Sequence, residues 1–204
     1  MQVLVDGQAH AFDSMPVTIG GLLKEIRSSV VSQNRVILSI NLDGAEMVAP
    51  AQVNAAGTPS ANHSMLEVVT ADARELCAAT IEEAARHISP VVDESLRIAD
   101  LIDAGKEEEA LTRIATCLEV WGTIMAAVEK VCMLLGLKLE EVSHRDTTLA
   151  DDIAGLAGFL QTLQSAIEAR DLVGVRDTMK HEMGDVADRL ENQLSALCTV
   201  VSAS

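Results

Sequence analysis

The chain has 204 residues, 15 Lys and Arg against 31 Asp and Glu, a formal net charge of −16, and 49% apolar residues, almost none of them aromatic. That apolar fraction excludes a disordered chain, and the length allows one or two domains with a real core. The charge argues against nucleic acid and anionic lipid as partners, because both are polyanions gripped by Lys and Arg, and Phe12, Phe159 and Trp121 are too few for single-strand stacking.

The first residues, Met1 to Asp6, carry no basic or long apolar run, so no signal peptide is read and the expected compartment is the cytoplasm. The longest uncharged apolar-rich stretch of the later part, 120–128, falls far short of the roughly 20 residues that cross a bilayer, so no membrane partner is expected. Cys77, Cys117, Cys132 and Cys198 form no C-x-x-C pair and sit in apolar helical patterns, as reduced core thiols do.

In chain order, alternation over 2–5 and 8–12 flanks the hairpin signal Asp6-Gly7. Thr18 can cap a helix with the stripe Leu22, Leu23, Ile26 and Val30. Residues 35–42, rich in β-branched side chains, predict a strand ending at a second turn signal, Asp43-Gly44. A short strand over 45–48 and a last one over 66–70 follow, separated by a long mobile loop at 49–64 that holds Pro50, Gly57 and Pro59.

Val3-x-Val5-Asp6-Gly7, Thr18-Ile19-x-x-Leu22-Leu23 and Ile40-Asn41-x-Asp43-Gly44, set in this order of elements, resemble the ubiquitin-like β-grasp of the small sulfur-carrier proteins of thiamin and molybdopterin synthesis. The resemblance covers about the first 70 residues and is one of topology and pattern. Those carriers act through a free C-terminal Gly-Gly. Here the last strand runs on into Ala71-Asp72-Ala73-Arg74-Glu75, so the resemblance implies the fold and a docking role on a sulfur-transfer or conjugation enzyme, without the carrier chemistry.

From residue 70 the apolar period changes to that of helices. One stripe is Cys77, Ile81, Ala84, Ile88, Val91, Ser95, Ile98 and Ile102, and Gly105 stops it. Pro90 should kink or split that helix near residues 87–89. A second stripe is Leu111, Ile114, Leu118, Trp121, Met125, Val128, Cys132 and Leu135, stopped by Gly136. A third is Leu149, Ile153, Leu156, Leu160, Leu163 and Ile167, and a fourth is Val175, Met179, Met183, Val186, Leu190, Leu194, Leu197 and Val201. Turns around Gly105 and Asp171 imply two hairpins, and 137–147 is the one longer connection. Ile98, Ile102, Ala110, Ile114 and Leu118 fall opposite Leu163, Ile167, Val175, Met179 and Met183 at an offset of about 65 residues, a pattern that fits a duplicated hairpin.

The fold class is therefore α+β: a small β-grasp domain over 1–70, then an antiparallel four-helix bundle over 71–204 with helices at about 71–104, 107–135, 148–170 and 173–201. Residues 71–204 hold 25 acidic and 12 basic side chains, and Glu107-Glu108-Glu109 meets the positive end of a helix dipole. In the third helix Ala154, Gly155, Ala157 and Gly158 point to a close helix contact or a self-association face, since each helical glycine costs about 1 kcal/mol.

Candidate chemistry is sparse. His181-Glu182-Met183-Gly184-Asp185 is similar to a zinc-helix motif with Asp in place of the second His, and its plainer reading is a surface ion pair. Glu141 and His144 form a single Glu-x-x-His, to which Glu83, His87, Glu119 and Glu129 could add ligands, whereas a ferritin-like dimetal bundle needs two such pairs. Gly20-Gly21 offers backbone N–H groups to an anion, or loosens a helix start. No phosphate-loop, dinucleotide or nucleophile-elbow motif occurs, so no cofactor and no enzymatic activity are expected.

The leading expectation is a non-enzymatic interaction protein, adaptor-like or chaperone-like, that offers an acidic bundle face or a groove near Met179 and Met183 to an amphipathic helix or to a second copy of itself, as a homodimer. In being small, acidic, helical and poor in aromatics, the bundle is similar to flagellar export chaperones, with no shared motif. A metal-binding bundle enzyme is the alternative from another class.

Overall fold

The computed structural model describes residues 1–48 and 54–203, and the chain divides into two compact units, Met1–Leu76 and Cys77–Ser204. The first unit is built on two Asp-Gly turns. β1 (Gln2–Val5) and β2 (Gln8–Ala9) meet through Asp6 and Gly7, at φ 51° and 77°. β3 (Arg35–Leu42) and β4 (Ala45–Glu46) meet through Asp43 and Gly44, at φ 51° and 83°. Two left-handed residues in succession suit the right-handed twist of the flanking strands, and Asp-Gly tolerates that conformation best.

β5 (Met65–Asp72) lies in the middle, parallel to β1 and antiparallel to β3, giving the sheet order β2-β1-β5-β3-β4. α1 (Ile19–Ser32) is capped by Thr18, whose hydroxyl accepts from the Gly21 N–H at 3.2 Å. Ile19, Leu22, Leu23, Ile26 and Val30 on this helix share one core with Val3, Ile40, Leu66 and Val68 of the sheet. β2 and β4 are two residues each, shorter than the alternation predicts, because neither is flanked by a further strand.

The N–H groups at the start of α1 are already engaged: Ile19 donates to the Thr58 carbonyl at 3.1 Å and Gly20 to the Ala56 carbonyl at 3.0 Å. A Cβ on Gly20 would lie 2.8 Å from the Ala56 oxygen, so this glycine lets two backbones approach and is not an anion site. Of the loop expected over 49–64, residues 49–53 lie outside the described residues. The remainder is strapped over α1 by a short 3-10 turn, Ser60–Asn62, whose Ser60 hydroxyl donates to the Pro16 carbonyl at 2.9 Å.

The helices are α2 (Ala73–Arg86), α3 (Ile88–Asp103), α4 (Glu107–Leu135), α5 (Leu149–Glu168), α6 (Leu172–Asp177) and α7 (Met183–Ala203). α2 and α3 part at His87. Pro90 has no N–H, and its ring would strike the carbonyl of Arg86 one turn earlier. Gly105 and Gly136, at φ 73° and 65°, turn the chain out of α3 and α4 in the conformation that costs a glycine least.

Two features depart from the expected pattern. The connection after α4, expected only as a longer link, carries short elements of its own: a 3-10 turn at Leu139–Glu141 leads into a small hairpin, β6 (Ser143–His144) and β7 (Thr147–Thr148). The last rod is also not one α-helix, because Thr178–Glu182 forms a π-helical turn between α6 and α7.

The helices share one core around Trp121, which is 1% exposed, and all eight residues of the fourth stripe are buried. On α4, Leu118 stays 38% exposed while Cys117, Ile124 and Val131 turn inward. A straight helix drifts away from a strict seven-residue repeat, which shifts the buried stripe on this long helix. Cys77, Cys117 and Cys132 are buried core thiols, and burial pushes the Cys117 thiol up to about 11, which keeps it unreactive. No helix among the described residues is long and apolar enough to cross a membrane.

Candidate functional site

α2 turns Cys77, Ile81 and Ala84 into the core, but its flanks carry small residues, Ala78, Ala79 and Ala85, that cannot fill the space toward neighbouring helices. Grooves result on both sides. Between α2 and α7 runs one of about 600 Å³, floored by Ile81, Ala85 and Leu194 and bordered by Glu82, Glu191, Ser195, Cys198 and Thr199. Among the described residues, no Lys or Arg lines it. Between α2 and α4 a second, of about 390 Å³, has Ala84, Ile124 and Ala127 below and Glu83 and His87 at its border.

The carboxylates of these borders are only loosely held. Glu82 lies 3.9 Å from Arg86 and 3.9 Å from the Cys198 sulfur, while Glu83 pairs with Arg86 and stands 3.6 Å from His87. All four side chains, Glu82, Glu83, Arg86 and His87, are more than half exposed, so the pairs contribute little to stability and can re-form with a partner.

A second gathering of polar groups lies where the β6–β7 hairpin meets α5 and α7. Thr148 caps α5 with its hydroxyl, and Asp151 returns the bond to the Thr148 N–H, a complete capping box. One residue on, Asp152 is 7% exposed and turns inward. Its Oδ2 accepts from Gln193 Nε2 at 2.8 Å and from the Thr147 hydroxyl at 3.0 Å, and its Oδ1 pairs with Arg189 at 3.3 Å. Gln193 Nε2 also donates to the Thr147 carbonyl at 3.0 Å. This network anchors the hairpin to the bundle and borders a small, half-open cavity lined by His144, Arg145, Asp146, Asp152, Arg189 and Gln193.

The structure brings Glu83 and His87 together, but the other candidate ligands stand apart. Glu141 sits in the 3-10 turn, paired with Lys138 at 3.3 Å, while His144 lies on β6. His181 is in the π turn, and Asp185 is on α7 beyond it; both are exposed. Among the described residues, no group of three or more His, Cys, Asp or Glu is placed to hold a metal ion. Ala154, Gly155, Ala157 and Gly158 face outward; a Cβ on Gly158 would meet nothing within 4 Å, and one on Gly155 would meet only the end of the Arg189 side chain among the described residues, so these small residues make no close helix contact there. Met179 and Met183 are core residues at 1% exposure each.

Asp152 and Gln193 are absent from the sequence reading. A signal for Gln193 does exist: it occupies a core position between Leu190, Leu194 and Leu197, where an amide needs a partner. Asp152 is masked in sequence by Asp151, which accounts for the cap by itself.

The family model of a domain of unknown function (DUF8042) matches residues 79–193, over half of the chain. No curated protein and no solved structure matches.

Proposed function

We propose, for a chain that belongs to the DUF8042 family, a non-catalytic binding role in which the groove between α2 and α7 takes up a basic amphipathic helix of another protein. The observation that carries this reading is the groove itself: about 600 Å³, apolar below, with Glu82 and Glu191 at its border and no Lys or Arg among the described residues that line it. An incoming helix would lay its apolar stripe over Ile81 and Leu194 and set its Lys and Arg against the two carboxylates. Charge sets the polarity of the partner, since a second copy of a chain at −16 would be repelled at this site.

In this reading the second unit is an antiparallel four-helix bundle in which α2 with α3, and α6 with α7, count as single rods. The first unit is a β-grasp, supported by the order β2-β1-β5-β3-β4 with α1 on one face. Any self-association would use the outward Ala154–Gly158 face of α5 and is read separately by sedimentation velocity, as a dimer that persists in the presence of peptide.

The test titrates the full chain into a fluorescent Leu/Lys helical peptide and follows anisotropy. Saturable binding is expected. It should weaken by about tenfold, roughly 1.4 kcal/mol, in the Glu82→Lys, Glu191→Lys double variant, whose changes are on exposed positions. A peptide of the same composition with its amphipathic order scrambled should bind at least about tenfold more weakly. Equal binding of the scrambled peptide would reduce the interaction to net charge and refute the groove.

A further inference from the structure

Four buried side-chain atoms among the described residues have no hydrogen-bond partner: Arg74 Nη1, Trp121 Nε1, His144 Nε2 and Gln193 Oε1. Two of them, on His144 and Gln193, belong to residues lining the single small cavity beside the β6–β7 hairpin, whose volume is about 240 Å³. A buried acceptor left unpaired costs about 1–3 kcal/mol. Gln193 is 1% exposed and cannot relieve the cost by turning its amide over. Its Nε2 lies 2.8 Å from the Asp152 carboxylate and 3.0 Å from the Thr147 carbonyl, so the flip would set oxygen against oxygen twice. The carbonyl of this amide is therefore fixed as an acceptor with nothing of the protein to accept from.

Two guanidinium groups and two carboxylates, those of Asp146 and Asp152, line the same cavity. Arg189 commits its Nε to Asp152, and Arg145 forms no ion pair with a described residue. A plain anion would suit the guanidinium groups but offer nothing to Gln193. A simple cation would suit the amide carbonyl and the carboxylates but leave the guanidinium groups with nothing to bind. At about 30 Å³ for each liquid water, the volume admits roughly eight waters, or a molecule of about five to ten non-hydrogen atoms.

We infer that this cavity binds a small hydroxy- or amino-carboxylic acid, its carboxylate held by Arg145, Arg189 and His144 and its O–H or N–H donating to Gln193 Oε1. The site shares no residue with the α2–α7 groove and does not rest on the binding role proposed for it.

Calorimetric titration of the full chain with glycolate and with L-serine tests this, with acetate and ethylene glycol as probes that each lack one half of the chemistry. At least one of the two acids should saturate, and acetate and ethylene glycol should bind at least about tenfold more weakly. Gln193→Leu should bring the acid that binds down to the level of acetate. Arg145→Asn, in an exposed turn where Asn tolerates the positive φ of 54°, should weaken binding by about tenfold while leaving the melting temperature unchanged. The inference fails if neither acid saturates by about 10 mM, if acetate binds as tightly as glycolate and L-serine, or if Arg145→Asn leaves the affinity unchanged.

Discussion

Asp6 and Asp43 do matching work at opposite ends of β5. Each sits at φ 51° before a glycine, and each aims its carboxylate across to the central strand. Asp6 accepts from the Thr70 N–H and hydroxyl, both at 2.7 Å, and from Arg35 at 3.0 Å. Asp43 accepts from the Ser64 hydroxyl at 2.6 Å and from the Ser64 and Met65 N–H groups at 2.8 and 2.9 Å. The Thr70 hydroxyl, above all, holds the Asp6 carboxyl below its ordinary 3.8, and the Ser64 hydroxyl does the same for Asp43. Asp6→Ala removes three bonds and leaves the Thr70 N–H unpaired, a loss of about 1–2 kcal/mol that urea unfolding would measure. Because the folded values are lowered, the stabilisation is complete above pH 3.8 and is lost as the pH falls below it through those values. Circular-dichroism melts of the chain should thus lose temperature steeply below about pH 4, and Asp6→Asn should lose less over the same interval. The turns themselves are legible in the sequence as Asp-Gly. The reach of Asp6 is not, because Thr70 lies 64 residues away and only the parallel pairing of β1 with β5 brings the two together.

At the scale of elements, the apolar stripes locate the helices, and their small irregularities mark where those helices break. Pro90 separates α2 from α3 for a reason visible in the residue itself. The π turn at Thr178–Glu182 leaves no sign of its own: Val175, Met179 and Met183 follow one another by two successive steps of four, but so do Val186, Leu190 and Leu194 in the regular helix of α7. A turn closed by i→i+5 bonds takes up more residues than an α-helical one, and Val175, Met179 and Met183 on either side of it are all buried. The π turn thus behaves as one residue more than the α-helix needs. Deleting exposed Lys180 should convert it to α-helix and keep the core registers of α6 and α7, at a cost below about 2 kcal/mol. Deleting equally exposed Asp188, inside α7, rotates every later core residue by one position and should abolish cooperative unfolding. Guanidinium melts of the two deletion variants distinguish these outcomes. Equal damage from both would show that the π turn does not absorb a residue. The β6–β7 hairpin has no sign in the sequence either, since its two-residue strands are too short to carry a period and are held by a network from α5 and α7.

For the whole molecule, charge decides how stability and binding respond to the solvent. Sixteen uncompensated negative charges repel one another in the folded state, which destabilises a compact chain and is relieved by salt. Opposing this are exposed pairs such as Lys106–Glu109 at 3.6 Å and Lys138–Glu141 at 3.3 Å, which salt weakens. Each such pair contributes about 0–1 kcal/mol, and acids outnumber bases two to one, so repulsion should prevail. Trp121 is the single tryptophan and lies in the core of the second unit, so its fluorescence reports unfolding there alone. Between about 10 mM and about 150 mM NaCl the Debye length shrinks from about 30 Å to about 8 Å, and the midpoint followed by Trp121 should rise by a few degrees. Over the same interval the Leu/Lys peptide should bind less tightly, since its attraction to Glu82 and Glu191 is screened by the same ions. Opposite slopes from one salt series separate a charge-strained fold that docks a cationic helix from one held together by its surface pairs. In the latter case both stability and binding would fall together.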